Sequence, residues 1–422
     1  MRILFLANFF PPASRGGQEI ECREARDVLE ERNHETLVLT SDYLAKQQTI
    51  KEHNVYRSLE LETAISPSRN LVRTFTGIER RERRNIRRLR KLVNDFEPDV
   101  LFIWGMWNLP KSLARCAEEL MGDRVLYRFA DYWPTLPSQL EIYWSNLAQG
   151  GPKRQLKSFL RPIARRQIHH VVSTPVLKIP NAICVSQAVK EILLTHDLPL
   201  ENATVIHTGI NVNHFFIHRS FVDAGQRAGE PGPLPMLYIG RLIPEKGFET
   251  VIRAFGKLAR DHRERNISLT AILSGDPEYR HYLSQLLVEE GAHERIKLLS
   301  TVPRDEIPGY MAEAEIFLFP SIWPEPFSRV VLEAMAAGLA VIGTTVGGTG
   351  ELLIDGETGL SFDPEDASML AQRIVQLHDD RLLRFRLARN GQQQVLTHYT
   401  FSKTMDEYER CLQKVVKAGS VI

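Results

Sequence analysis

The sequence predicts an α/β protein made of two doubly wound domains that face each other across an interdomain cleft. Three observations lead to this prediction. The 422 residues exceed what a single hydrophobic core of ordinary size accommodates. Short apolar runs alternate with longer amphipathic stretches, which is the order of strands and helices around a parallel sheet. The alternation stops once, in a segment rich in glycine and proline, and then begins again.

The first series of apolar runs predicts six buried parallel strands, at residues 3–7, 36–39, 100–103, 125–129, 182–185 and 204–207. Helical patterns between them include residues 19–31 and 78–96. These elements predict a Rossmann-like domain over residues 1–216. The aperiodic segment at residues 217–234 is the predicted linker.

The second series predicts strands at residues 236–240, 269–273, 296–299, 316–319 and 340–342. We therefore expect a second domain over residues 235–400. The remaining residues, 401–422, contain a helical pattern with no strand after it. We expect this C-terminal helix to pack back on the N-terminal domain.

The amino-acid composition excludes several classes of protein. Hydrophobic residues make up 43% of the chain and charged residues 25%, as in a globular protein, and the formal net charge of +1 provides no global field for nucleic acid. The four cysteines lie far apart without a CxxC pair, which argues against a disulfide framework and a structural zinc site. No apolar run is long enough for a membrane span. These features predict a cytoplasmic protein.

Two glutamates mark the most informative segment. Glu325 follows a predicted strand and Pro326 suits the first turn of the next helix, so Glu325 is expected at the carboxyl edge of the sheet, where open α/β sheets bind ligands. Glu333 lies roughly 12 Å further along the helix axis. At that separation the carboxylates cannot share a proton or a metal, but they can accept hydrogen bonds from hydroxyl pairs at two ends of one ligand. Alternatively, Glu325 complements the helix dipole and Glu333 is solvated, although the apolar sequence around Glu333 predicts a buried carboxylate that needs a partner.

Two further loops carry groups that bind phosphate. Arg241 and Lys246 follow another predicted strand and can converge on a diphosphate near a helix N-terminus. Gly347 and Gly348 allow backbone amides to approach phosphate oxygens. Solvated loop cations and ordinary turn glycines are the alternative interpretations.

Together these segments resemble the retaining glycosyltransferases of the GT-B fold, specifically family four, of the glycosyltransferase group 1 type. The resemblance is strong over residues 234–366. It rests on Gly240-Arg241 with Lys246-Gly247, on Glu325-Pro326-Phe327 with Glu333 eight residues later, on Gly347-Gly348 with Glu351, and on Asp355-Gly356-Glu357-Thr358-Gly359.

The resemblance implies a role for each motif residue. Arg241 and Lys246 would hold the diphosphate of a nucleotide-sugar donor, Glu325 would contact the transferred sugar, and Glu333 would bind the ribose hydroxyls. Four neighbours complete the predicted donor site: Pro326, Phe327, Gly347 and Gly348. In the N-terminal domain, the loop with Gly16 and Gly17 would face the donor phosphate and the acceptor, although from its sequence alone a flexible turn is equally compatible.

Three positions depart from the family pattern. Ala130 stands where a histidine often precedes the aspartate, here Asp131. Asp131 is a candidate for positioning the acceptor or stabilising positive charge on the reacting sugar, and a turn-capping aspartate is the alternative. Ser328 replaces a usual glycine, and Asn211 replaces a usual aspartate.

The predicted function is retaining transfer of a sugar, expected to be a hexose, from a UDP-, GDP- or ADP-sugar to a hydroxyl of a glycan or lipid-linked glycan, as in polysaccharide biosynthesis. No D-x-D triplet occurs in the sequence, so we predict metal-independent transfer without a cofactor. A catalytically weak or inactive donor-binding scaffold subunit is the alternative. A nicotinamide-dependent dehydrogenase ranks last, because no GxGxxG follows the first strand.

Two basic stretches need a separate explanation. Eight of the twelve residues at 80–91 are Arg or Lys, and a second basic stretch at 153–166 is interleaved with apolar residues. Solvated helix faces explain both. Contact with an anionic membrane surface, at its inner face, is the alternative and would suit a lipid-linked acceptor. No nucleic-acid-binding motif accompanies the charge, so we expect no nucleic acid partner.

Overall fold

The computed structural model describes residues 1–44, 52–65, 74, 76–145, 152–171, 176–217, 219 and 234–419. The predicted linker at 217–234 therefore lies almost entirely outside the described residues. The chain forms two compact units, one consisting of Met1–Ile206 with Met405–Ile422 and the other of His207–Thr404.

The first unit contains a seven-stranded sheet in the order β3-β2-β1-β4-β5-β6-β7, and all of its pairings are parallel. The strands are β1 (Arg2–Ala7), β2 (Glu35–Ser41), β3 (Val55–Leu59), β4 (Val100–Gly105), β5 (Val125–Phe129), β6 (Asn181–Cys184) and β7 (Thr204–Val205). The central strands β1, β4 and β5 are almost completely buried, as expected for a parallel sheet covered on both faces.

Seven helices of the described residues belong to this unit. They are α1 (Gly17–Glu31), α2 (Ile78–Phe96), α3 (Lys111–Met121), α4 (Gln139–Ser145), α5 (Pro152–Val171), α6 (Gln187–Leu194) and α13 (Phe401–Gly419), the last of which contributes its residues from Met405 onward. Helix α2 shows why they form: its buried residues Leu89, Leu92, Val93 and Phe96 recur at helical spacing, and its charged face points to solvent.

A buried polar network ties α13 to this unit. Arg128, on β5, donates to the Glu21 carboxylate at 2.7 Å and to the Tyr408 hydroxyl at 2.7 Å. The Arg128 and Glu21 side chains are 0% and 2% exposed. A buried charge requires a partner, so this network fixes α13 against α1 and β5.

The second unit contains a six-stranded parallel sheet in the order β10-β9-β8-β11-β12-β13. Its strands are β8 (Leu234–Leu242), β9 (Ile267–Gly275), β10 (Ile296–Leu299), β11 (Ile316–Phe319), β12 (Ala340–Gly343) and β13 (Gly359–Ser361). Its helices are α7 (Phe248–Asp261), α8 (Pro277–Glu289), α9 (Ile307–Glu313), α10 (Arg329–Ala336), α11 (Ala367–Asp379) and α12 (Arg381–His398).

All eleven predicted strands occur, although β7 is shorter than its apolar run. The sequence did not predict β3 and β13. Both are edge strands of the sheets that the described residues form; β3 is only partly buried, and β13 has only three residues. A short or partly exposed strand has few apolar residues in a row, so the signal on which the prediction depends is weak there.

Among the helices of the described residues, none combines the length and apolar character needed to cross a membrane.

Candidate functional site

The candidate site of the second unit lies at the carboxyl ends of β8 and β11. These neighbouring strands mark the point where the strand order reverses, and open α/β sheets bind ligands there. Arg241 lies at the end of β8, and Glu325 lies in the loop after β11. The topology therefore brings together two sequence segments that were predicted separately.

Close backbone contacts hold the two loops against each other. The Glu245 carbonyl accepts hydrogen bonds from the amides of Ile322, at 3.0 Å, and Trp323, at 3.3 Å. Gly247 has a φ of +66°, and a Cβ there would lie 1.9 Å from the Pro320 carbonyl oxygen. Only glycine fits this position, which explains why the loop after Lys246 requires it.

The Glu325 carboxylate is fixed by two side chains. The Lys246 ammonium contacts Glu325 Oε1, and the Ser321 hydroxyl donates to the same oxygen at 2.9 Å. The Glu325 side chain is only 13% exposed and that of Lys246 18%. Lys246 is therefore part of a partly buried ion pair, not a solvated loop cation.

Arg241 differs from Lys246. Its side chain is exposed at the end of β8. Within the described part of the chain, no acidic side chain lies at ion-pair distance from it, so its guanidinium donors are available to an anion. The N-terminus of α7, which begins at Phe248, adds a partial positive charge close to this loop.

The glycine loop lies directly against Glu325. Gly347 and Glu325 form a parallel β-bridge, and the Gly348 amide donates to the Glu325 carbonyl at 2.7 Å. Gly347 has φ +65° and ψ −146°, a conformation that is essentially restricted to glycine. The structure thus brings Lys246, Glu325, Gly347 and Gly348 together.

Glu333 lies on α10 and is only 4% exposed. Its Oε1 accepts a hydrogen bond from Arg304 Nη2 at 2.7 Å. The prediction of a buried carboxylate with a partner is confirmed, but sequence reasoning missed the partner. Arg304 is one arginine in a polar loop after β10, and no short motif connects it to α10.

The predicted start of this helix was wrong. Helix α10 begins at Arg329 with Ser328 at its N-cap, so Pro326 precedes the first turn. Glu325 is therefore outside the helix, and the axial separation of roughly 12 Å, which assumed a continuous helix, does not apply. Ser328 has a φ of −84°, which any residue adopts, so the change from glycine causes no backbone strain.

A histidine that the sequence analysis did not single out contacts both the Phe327 loop and the glycine loop of the predicted donor site. His207 Nε2 lies 2.7 Å from Glu351 Oε2, and its ring packs on Phe327 with a centroid distance of 4.9 Å. The Tyr399 ring lies within 5.5 Å of both rings, and its hydroxyl donates to the Glu351 carbonyl at 3.3 Å. This cluster connects the Phe327 loop to the glycine loop.

Asn211, another departure from the family pattern, now has an explanation. Its side-chain oxygen accepts from the Asn213 amide at 3.3 Å and caps a short 3₁₀ turn. An aspartate oxygen accepts the same bond.

In the first unit, Gly16 and Gly17 lie at the start of α1. The buried Glu19 carboxylate accepts from the Gly16 amide at 2.9 Å and from the Arg15 amide at 3.4 Å. Burial raises the pKa of Glu19. A Cβ at Gly16 would meet only the Glu19 side chain, at 3.8 Å, so packing in this unit does not require glycine there. The role of this loop in ligand binding stays a prediction.

Asp131 follows β5 in the first unit, as predicted. Its Oδ1 accepts from the Trp133 amide at 3.0 Å, which is the turn-capping arrangement. Burial raises the pKa of the Asp131 carboxyl to about 6, and the charge of Arg128 opposes this rise. A carboxyl with a raised pKa is a candidate functional group as well as a turn cap. The catalytic role of Asp131 stays a prediction.

Comparisons with known proteins cover most of the chain. Residues 226–394 match the family described as glycosyl transferases group 1, and residues 15–214 match glycosyltransferase family 4. The glycogen synthase of Mycobacterium tuberculosis is 29% identical over 235 residues, which are 56% of this chain and 54% of that protein. The chain spans little more than half the length of the first curated relatives it matches.

Solved structures share the fold. Sucrose-phosphate synthase from Thermosynechococcus elongatus superposes with a TM-score of 0.73 at 18% identity and covers 99% of both chains. HepE of Anabaena, solved in complex with UDP and glucose, gives a TM-score of 0.66 at 20% identity over 98% of this chain and 99% of that chain. The two parallel-sheet units thus have the GT-B fold. Because the two family models together match residues 15–214 and 226–394, the chain belongs to the group 1 glycosyltransferases of family four.

Proposed function

We propose that this protein transfers a sugar from a nucleoside-diphosphate sugar to a hydroxyl of an acceptor, with retention of configuration at the anomeric carbon. The observation that carries the proposal is the fixed Glu325 carboxylate, held by Lys246 and Ser321 and bordered by Gly347. An acceptor-only carboxylate beside a cation and a glycine loop fits a ligand that combines sugar hydroxyls with phosphate.

Each residue then has a role in donor binding. Glu325 accepts hydrogen bonds from the transferred sugar, which we expect to be a hexose, and Glu333 accepts them from the ribose. Arg241, Lys246 and the N-terminus of α7 neutralise the diphosphate. The complex of HepE with UDP and glucose supports this class of donor.

The reaction breaks the bond between the anomeric carbon and the diphosphate oxygen and forms one to the acceptor oxygen. The proton of the acceptor hydroxyl passes to the departing diphosphate. Arg241 and Lys246 stabilise the negative charge of the leaving group, and Asp131 is proposed to stabilise positive charge on the sugar from the acceptor side.

No metal and no cofactor is needed in this proposal. Two cations and a helix N-terminus supply the positive charge, and the sequence has no D-x-D carboxylate pair to hold a divalent ion. Turnover should survive EDTA. Loss of turnover in EDTA and its recovery with Mg²⁺ would contradict this part.

The donor test begins with a thermal-shift screen of UDP-, GDP- and ADP-sugars, because a bound donor stabilises the fold. The best donor is then used to measure slow hydrolysis without an acceptor. Glu325→Ala and Arg241→Ala should abolish hydrolysis, while Glu294→Ala and Arg263→Ala, at exposed positions of the same unit, should not. Equal hydrolysis in all four variants, or no stabilising nucleotide sugar, would reject the proposal. NMR of the product's anomeric proton tests retention.

A glycan or lipid-linked glycan is the proposed acceptor, in polysaccharide biosynthesis, with the protein in the cytoplasm at the inner face of a membrane. All four cysteines are free thiols, which fits a reducing compartment. On α5, Phe159 and Ile163 are 75% and 49% exposed and alternate with Arg161 and Arg165. This pattern fits an interfacial helix on anionic lipid.

Helix α2 offers less positive charge to a membrane than its composition implies, because several of its basic side chains are in ion pairs. Arg84 and Arg88 pair with Glu60, and Arg83 and Lys91 pair with carboxylates on α2 itself. We therefore assign the membrane contact chiefly to α5.

Vesicle flotation tests the membrane contact. The protein should float with anionic vesicles and not with neutral ones, and Phe159→Ser with Ile163→Ser should abolish flotation. Val288→Ser, at a position that is 66% exposed in the second unit, is the matched control. Equal flotation with both vesicle types would count against the contact.

A donor-binding scaffold without turnover is the second candidate, because Ala130 departs from the histidine that the family resemblance implies before Asp131. Tight donor binding without hydrolysis, and without transfer to any acceptor, would favour it.

A further inference from the structure

The ion pair between Arg304 and Glu333 joins two segments that no motif connects. Arg304 begins a 3₁₀ turn after β10, and Glu333 lies on α10. Arg304 Nη2 and Glu333 Oε1 are 2.7 Å apart. The Arg304 guanidinium also lies 5.7 Å from the centre of the Phe215 ring, which is buried.

The two partners differ in exposure. The Glu333 side chain is 5% exposed and that of Arg304 is 45% exposed. Arg304 therefore extends from the surface to a carboxylate that has little other access to water. It donates to Oε1, while Oε2 has no hydrogen-bond donor within the described part of the chain.

A carboxylate in this setting depends on its cation. Without a positive partner, a buried carboxylate tends to protonate or turn towards water, because desolvation disfavours its charged form. Arg304 supplies a positive charge beside the carboxylate and holds one oxygen by a hydrogen bond, which leaves the other oxygen to accept from a ligand hydroxyl.

We propose that Arg304 is a positioning residue that holds Glu333 in the orientation needed to bind the ribose hydroxyls of the donor nucleotide. The inference rests on the proposed function, in which Glu333 contacts the ribose. It adds Arg304, for which the family pattern predicts no role. Arg304 acts through Glu333, so its effect should depend on whether the ligand carries the hydroxyl that Glu333 binds.

This dependence gives a direct test by calorimetry. UDP, GDP and ADP are titrated first, and the nucleotide that binds is compared with its 2′-deoxy and 3′-deoxy forms. Wild-type protein should prefer the ribonucleotide by about tenfold or more over at least one deoxy form, because hydrogen bonds to charged groups are strong. Arg304→Met should reduce this preference severalfold, mainly by weakening ribonucleotide binding.

Two further variants separate positioning from general damage. Arg304→Lys keeps the cation and should restore part of the preference, and it carries the test if Arg304→Met does not fold. Arg263→Met removes an exposed arginine of the same unit and should leave the preference unchanged.

Three results would overturn the inference. The first is an unchanged preference in Arg304→Met, and the second is tighter ribonucleotide binding in that variant, which would mean that Arg304 competes with the ribose. The third is a wild-type protein that binds the nucleotide but does not distinguish the deoxy forms. If wild-type protein binds none of the nucleotides, the proposed function fails together with the inference.

Discussion

Replacing Gly347 with alanine should strongly reduce hydrolysis of the nucleotide sugar in a protein that still folds. Gly347 has φ +65° and ψ −146°, and its backbone lies against that of Glu325. A Cβ at this position would lie 2.5 Å from the Glu325 carbonyl oxygen and 2.8 Å from its amide nitrogen. Both distances are far below van der Waals contact, and neither neighbour is a flexible side chain that can move aside.

Gly347→Ala should have two effects, one on the free energy of unfolding and one on donor hydrolysis. The backbone conformation alone costs an alanine about 1–3 kcal/mol. Relief of the contact requires the Glu325 backbone to move by roughly 1 Å, given that carbon atoms pack at about 3.5–4 Å. A displacement of that size in a binding group lowers activity by about a hundredfold, so Gly347→Ala should reduce donor hydrolysis by that order.

Gly356 offers a matched control. It also has a positive φ, +74°, but a Cβ there would meet nothing within 4 Å. Gly356→Ala should therefore lose about 1–2 kcal/mol of unfolding free energy and keep normal hydrolysis. Urea unfolding and acceptor-free hydrolysis of the donor measure both effects. If Gly347→Ala hydrolyses the donor as fast as Gly356→Ala, the packing of Gly347 against Glu325 does not control the site and the reasoning fails.

Three further predictions concern single groups. Arg128→Met should lower the free energy of unfolding in urea by about 3–5 kcal/mol, because it strands the buried Glu21 carboxylate, and adding Glu21→Gln should recover part of the loss; a loss below 1 kcal/mol would contradict this. Burial raises the pKa of the Glu62 carboxyl to about 7. The folded protein therefore binds this proton more tightly than the unfolded chain, and the free energy of unfolding falls as the pH rises from about 5 to 8. Glu62→Gln should reduce that fall by about 3 kcal/mol, and an identical pH profile would rule out the assignment. His207→Ala should raise the KM for the nucleotide sugar because it removes the hydrogen bond between His207 and Glu351. His207→Gln keeps an N–H group at this position and should retain most of the affinity, and equal KM values for the two variants would show that the hydrogen bond is unimportant.

Much of the fold followed from local pattern. The buried strand β11 is a continuous apolar run, and the observed bounds of β5 and β11 equal the predicted ones. The exceptions have local causes. Strand β3 is only partly buried and β13 has only three residues, so neither presents a long apolar run. Pro326 looks like a helix start although Ser328 is the N-cap.

The sequence by itself determined the two-unit α/β architecture, the family, and the segments that bear Arg241, Lys246, Glu325, Glu333 and the glycine loop. These are short-range features, because apolar periodicity and motif spacing are written in consecutive residues. Only the tertiary structure decided which groups meet. Lys246 contacts Glu325, Arg304 binds Glu333 and His207 binds Glu351 across long stretches of chain. Strand order and loop packing create these pairs, and a carboxylate's sequence neighbours do not reveal which distant cation will neutralise it when it is buried.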